Sequence, residues 1–173
     1  MAKPQKLQKT NAARLLDQAG IPYELIPYEV DENNLAATHI AEQLGEDIKS
    51  VFKTIVLTAG PGQFFVCVVP GDAEIDLKKA AKVAGYKKVD LIPMKELLPL
   101  TGYIRGGCSP IGMKKPFPVF FHNTAASLPV FFVSAGVRGL QFKIEPLLLI
   151  NYTGGQMADL IKSDFGENTD GDE

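Results

Sequence analysis

Ser50-Val51-Phe52-Lys53-Thr54-Ile55-Val56-Leu57 reads as a β-strand with a lysine in its middle. Side chains alternate between faces along a strand, so Lys53 shares its face with Val51, Ile55 and Leu57. An ammonium among such neighbours either reaches back to water or lines a pocket where a charge is wanted. It also suits an edge strand, where a lysine discourages edge-to-edge pairing. The strand alone leaves these readings open.

Beyond it, Ala59-Gly60-Pro61-Gly62 predicts a turn. Phe64-Phe65-Val66-Cys67-Val68-Val69 is a continuous apolar run, as in a strand covered on both faces. Asp76 caps a helix containing Leu77, Ala80, Ala81 and Val83, closed by Gly85. A short helix is expected over residues 93–98. Residues 103–115 are glycine-rich with little helical pattern. Pro118-Val119-Phe120-Phe121 and Pro129-Val130-Phe131-Phe132-Val133 predict strands, and Gln141-Phe142-Lys143-Ile144 alternates as a last strand would. A final helix is expected after Gly155, through Met157, Leu160 and Ile161. Towards the amino end, Thr10 caps a helix through Ala12, Ala13, Leu15, Leu16 and Ala19, stopped by Gly20. Tyr23-Glu24-Leu25-Ile26 is a strand opened by Pro22. A polar loop, Asp31-Glu32-Asn33-Asn34, precedes a short helix, Ile40-Ala41-Glu42-Gln43-Leu44, that ends at Gly45. Helices and strands alternate irregularly, which predicts an α/β fold: one domain with a mixed, curled sheet flanked by short helices. No G-x-G-x-x-G joins a first strand to a helix, so this is no dinucleotide-binding pattern.

At 173 residues the chain suffices for one domain with a real core. It has no apolar stretch long enough to span a bilayer and no secretory leader, so a cytoplasmic protein without membrane partners is expected. Cys67 and Cys108 are too few for a disulfide framework, and His39 and His122 lack metal-ligand spacing. No metal and no cofactor are expected. The net charge of −2 conceals an asymmetry. Residues 163–173 hold Asp164, Glu167, Asp170, Asp172 and Glu173 and no base, a composition that reads as a flexible acidic tail. Without those five of the 20 acids, 18 bases face 15 acids. A mildly basic body permits nucleic-acid contact without demanding it.

Gly106-Gly107-Cys108-Ser109-Pro110-Ile111-Gly112 is the second informative stretch. Glycine lets a ligand approach the backbone and proline stiffens it, so its N–H groups can converge on an oxyanion or a carbonyl. The alternative is an ordinary turn. Cys108 invites a nucleophile reading, but no base lies near it in sequence. Cys67, inside an apolar run, reads as a small core residue. Lys78, Lys79, Lys82, Lys87 and Lys88 crowd one helix and its exit, and Lys114 and Lys115 follow the glycine loop. Such clusters form a solvated face or contact phosphates. Ser134, in Val133-Ser134-Ala135-Gly136, bonds a substrate or shapes a turn.

Taken together, four stretches resemble the YbaK family of aminoacyl-tRNA deacylases and the related editing domain of bacterial prolyl-tRNA synthetase. They are Phe52-Lys53-Thr54, Leu77-Lys78-Lys79-Ala80-Ala81-Lys82, Thr101-Gly102-Tyr103 with the glycine loop, and Val133-Ser134 with Arg138-Gly139-Leu140. The resemblance covers residues 10–161 and implies a deacylase domain over residues 1–162. It implies a trans-editing enzyme, hydrolase or lyase, that cleaves the ester of mischarged tRNA, Cys-tRNA(Pro) foremost, with prolyl-tRNA synthetase as a partner. Lys53 would be the essential catalytic residue. Tyr28, Thr54, Gly106, Gly107, Cys108, Ser109, Pro110 and Ser134 would bind substrate, and Lys78, Lys79, Lys82, Lys114 and Lys115 would contact tRNA. The family's answer to the missing base is attack by the substrate's own thiol, catalysis by proximity. Where the family pattern places an aromatic, this chain reads Leu35-Ala36-Ala37. Rival readings are a non-catalytic tRNA- or synthetase-binding module, a redox protein built on Cys108, and a deacylase for another small amino acid such as alanine.

Overall fold

The computed structural model describes residues 9–163. Helix α1 (Asn11–Gln18) and strand β1 (Glu24–Pro27) precede helix α2 (Ala37–Leu44). Strands β2 (Phe52–Gly60) and β3 (Gln63–Pro70) form a hairpin, followed by α3 (Leu77–Ala84), β4 (Asp90–Leu91) and α4 (Met94–Thr101). Then come β5 (Val119–His122), β6 (Phe131–Ser134), β7 (Leu140–Ile144), α5 (Pro146–Thr153) and β8 (Gln156–Ala158). None of the described helices is long and apolar enough to cross a membrane.

The helix ends follow local chemistry. Thr10 Oγ1 accepts the Ala13 N–H at 3.1 Å, and Asp76 Oδ1 accepts those of Lys78 and Lys79 at 3.0 and 3.1 Å. Each bond satisfies a donor the helix itself cannot. Gly45 and Gly85 close α2 and α3 at φ +66° and +86°, where a side chain is strained.

The expected α/β domain with a mixed sheet is present, and its strands divide into two sheets. One has the order β1-β7-β6, the other β4-β2-β3-β5-β8. The second is mixed: β2 runs antiparallel to β3 and β4, while β3, β5 and β8 run parallel. A lone parallel bridge between Val51 and Phe132 links the two, too short a ladder to make them continuous.

The principal core lies between the sheets. Phe52, Val56, Val66, Val68 and Phe121 meet Phe131, Val133, Phe142 and Ile144, with α1 (Ala12, Ala13, Leu16) and α5 (Leu149, Ile150) closing it. On the opposite face, Leu57, Phe65, Cys67 and Val69 pack under α3 and Leu160. Strand β3 is thus buried on both sides, as its uninterrupted apolar run requires.

The expected helix after Gly155 is not there. The last helix among the described residues is α5, started by Pro146 at its first position and ended by Gly154 at φ +67°. Proline is pre-set for a first helical residue and glycine for the left-handed stop. The segment after it extends because β5 offers a free edge: Gln156–Ala158 pairs with Phe120–His122. Gly155 makes that crossing possible, since a Cβ there would stand 2.7 Å from the Phe121 ring. Strand β4, two residues long, carried no sequence signal.

Candidate active site

Phe52, Lys53, Thr54, Ile55 and Val56 all line one cavity of about 650 Å³. Five consecutive residues, drawn from both faces of a strand, can share a cavity only if its wall is the edge of the strand. The register explains how that edge comes to be open. Val56 C=O accepts the Ile92 N–H at 3.3 Å, so it points away from β3 and towards β4. Main-chain groups two residues apart point the same way, so Thr54 N–H and C=O face outward too. Strand β4 pairs only with Leu57 and Thr58, and β6 forms a bridge only at Val51. Between them, no ladder among the described residues pairs the outward main chain of Thr54.

The polar side chains at this edge are short of partners. Thr54 Oγ1 and the Gln141 carboxamide oxygen are buried with no hydrogen bond, though both residues line the cavity. Ser134, paired with Gln141 across β6 and β7, accepts the Gly136 N–H at 3.1 Å. The turn role is therefore real, and it leaves the hydroxyl proton free to donate. Lys53 is half-buried, and its ammonium makes no ion pair with another described residue. Burial holds its pKa below the ordinary 10.5, against the pull of Asp72 and Glu74. Alternation puts Lys53 on the α3 face and Thr54 on the face of Cys108. Only the open edge brings them to one space.

The glycine loop divides. Gly106 and Cys108 line the cavity. Gly106 has φ +85°, and a Cβ there would touch Leu35 and Arg138 at 3.4 Å. A Cβ on Gly107 would stand 3.0 Å from main-chain atoms of Val137 and Arg138. Arg138 Nε also donates to Arg105 C=O at 2.8 Å. The two sequence motifs are thus clasped backbone to backbone, and that contact is what Gly107 serves. Ser109 and Pro110 are buried away from the cavity wall. Burial pushes the Cys108 thiol up to about 12, so it stays protonated at neutral pH.

Tyr28 packs on Ile40, Ala41, Val51 and Phe132, the cluster behind one wall of the cavity. Leu35, Ala36 and Ala37 form its rim. Lys78, Lys82, Lys114 and Lys115 are exposed. Lys79 is engaged, donating at 2.8 Å to Asp159 Oδ2 and to Ile161 C=O. Residues 164–173 of the acidic tail lie outside the described residues. The sequence reading passed over Gln141 and Arg105. Gln141 carried no sequence signal beyond its place in an alternating strand, yet it is 3% exposed and lines the cavity.

Residues 31–152 match the aminoacyl-tRNA editing domain family. Over 160 residues the chain is 44% identical to an Enterococcus faecalis protein named "Putative Cys-tRNA(Pro)/Cys-tRNA(Cys) deacylase EbsC", spanning 92% of this chain and 98% of that one. It is 27% identical over 139 residues to the proline–tRNA ligase of Cupriavidus necator, covering 79% of this chain but 24% of the ligase. A solved structure described as "a putative trans-editing enzyme for prolyl tRNA synthetase" superposes with a TM-score of 0.77 at 24% identity, over 90% of this chain and all of that one. At that identity the likeness concerns the fold.

Proposed function

The chain belongs to the aminoacyl-tRNA editing domain family, and from that premise we propose that it deacylates mischarged tRNA, Cys-tRNA(Pro) foremost, with the substrate's own thiol as nucleophile. The observation that carries this reading is a cavity rich in binding groups and poor in bases. Among the described residues its lining holds one carboxylate, Glu74, which faces Lys162 at 2.9 Å. His122 is buried elsewhere, its Nδ1 accepting the Leu160 N–H at 3.2 Å. Cys108 is protonated.

A substrate thiol is partly ionised near neutral pH where a serine hydroxyl is not. Its sulfur attacks its own ester carbonyl carbon. The C–S bond forms, the ester C–O bond breaks, and the ribose oxygen leaves with the proton the thiol gives up. A cyclic thiolactone departs and the tRNA is spared. The protein holds the reacting atoms close, which alone supplies a large part of a barrier. Lys53 stabilises the negative charge that grows on the ester oxygens. Exposed Lys78, Lys82, Lys114 and Lys115 serve the tRNA phosphates, with a slope against salt as their signature. A prolyl-tRNA synthetase would supply the tRNA selectivity that this small surface lacks.

The test is a panel of tRNAs charged with cysteine, serine, alanine and proline, each incubated with wild type and Lys53→Ala. Preferential loss of the cysteine ester, abolished in the variant, supports the reading. Equal rates on cysteine and alanine esters would make water the nucleophile and the enzyme a general hydrolase.

A further inference from the structure

Strand β2 is bridged to β6 at Val51 and paired with β4 at Leu57 and Thr58, and the interval between them leaves the outward main chain of Thr54 outside any ladder. That residue offers a main-chain donor and a main-chain acceptor side by side. An aminoacyl ester offers the complement: an α-amino group that donates and, one carbon away, a carbonyl that accepts. This is the pairing that two opposed residues make in an antiparallel sheet. Extended peptides bind sheet edges in the same way.

We propose that the aminoacyl group of the substrate docks as a single added strand residue on the open edge of β2, with Thr54 C=O and the Gln141 carboxamide oxygen receiving its amino group and Thr54 N–H receiving its carbonyl oxygen. The proposal rests on the deacylase reading and gives its site a polarity. A second observation supports it. Gln141 is 3% exposed, lines the same cavity, and has a carboxamide oxygen without a partner, as has the Thr54 hydroxyl. Buried acceptors are nearly always paired in folded proteins. Two unpaired ones on one cavity fit a ligand rich in N–H donors. Directly opposed residues put their side chains on the same face, so the substrate side chain would lie on the face of Thr54. There Val56 and Cys108 belong to the apolar cluster between the sheets. The site would therefore read a free α-amine, whichever side chain follows.

Two probes test this. The first is a non-hydrolysable mimic, adenosine carrying cysteine through a 3′-amide, titrated in its free-amine and N-acetylated forms. The second is the deacylation of Cys-tRNA and N-acetyl-Cys-tRNA, each as acceleration over the spontaneous rate. The free amine is expected to bind about tenfold to a hundredfold more tightly, the usual worth of a hydrogen bond to a charged group. Acceleration should fall by a similar factor on the acetylated ester. Gln141→Leu should erase much of the preference, and Gln141→Glu, which keeps an acceptor, should retain it. Equal binding and equal acceleration for both forms by wild type would overturn the seat and leave the deacylase standing. A preference for the free amine without turnover of any ester would keep the seat and remove the deacylase.

Discussion

Two lysines on the same side of the β2–β3 hairpin have opposite fates. Lys79, on α3, is tied to Asp159 and to the main chain at Ile161. Around it the seam to the C-terminal segment is paired throughout: Asp76 N–H meets Leu160 C=O, Lys162 N–H meets Glu74 C=O, and Leu160 N–H meets His122. Lys53, at the cavity, has no ion partner among the described residues, and Thr54 and Gln141, which line the same cavity, keep buried oxygens unbonded. A fold gains by pairing its buried polar groups. Where it does so, as at the seam, those groups hold structure. Where it does not, at Thr54 and Gln141, the unbonded groups lie on the cavity, where the proposed substrate would supply their partners. Ser109 departs from this division, since its buried hydroxyl is unpaired yet does not line the cavity.

The strongest way to break the comparison is Lys53→Ala. It should lower deacylation at least ~100-fold, in the range for one essential polar group. The melting temperature should hold, because losing a desolvated, unpaired charge seldom destabilises. Loss of both activity and fold would make Lys53 a structural residue like Lys79.

Gly155→Ala acts on the other side. Its Cβ would press on the Phe121 ring from 2.7 Å, and overpacking of this kind costs about 1–3 kcal/mol. Denaturant melts should record that loss, with kcat on Cys-tRNA unchanged at temperatures where the variant is folded.

The seam should also respond to acid. Burial holds the His122 imidazole below its ordinary 6.5, against the opposing pull of Asp159. As pH falls past about 6.5 the unfolded chain takes up a proton that the folded chain refuses, so stability drops. The effect continues until the folded pKa is reached. The paired carboxylates Asp17 and Asp159 are held below their ordinary 3.8, so their contribution is lost only at lower pH. Melting temperatures from about pH 8 to 5 should decline in wild type and flatten in His122→Asn.

The smallest effect is expected from Cys108→Ala. A thiol pushed up to about 12 is a poor nucleophile, so the variant should lose no more than about tenfold through altered packing. Complete loss with an intact fold would revive a covalent route.

What the sequence could tell depended on range. Thr10, Asp76, Gly45 and Gly85 act within a turn of themselves, and the helices they bound lie where local pattern put them. The apolar run of β3 was legible because burial on both faces leaves no alternation to misread. The division into two sheets was not, since it depends on which distant strands meet. The segment after Gly155 carries apolar residues at helical spacing, but an open edge on β5, more than thirty residues earlier in the chain, drew it out straight. The same holds at the site. Lys53 and the glycine loop declared themselves by being out of place. Thr54 was named through the family resemblance, but its main-chain position between β4 and β6 was legible only from register, and Gln141 gained meaning only once the strands were placed.

The open interval on β2 bears on how the protein behaves among other chains. An exposed strand edge is a template for aggregation, because any extended segment can add to it. Here the gap is bounded by the bridge to β6 at Val51 and by β4 at Leu57, so a neighbouring polypeptide has little length over which to pair. On the proposed seat, the same bounds would disfavour a nascent chain still joined to its tRNA, whose last residue continues into a peptide on its amino side. Solubility of the protein and safety for the ribosome's own products would then follow from one dimension, the width of an unpaired step in a sheet.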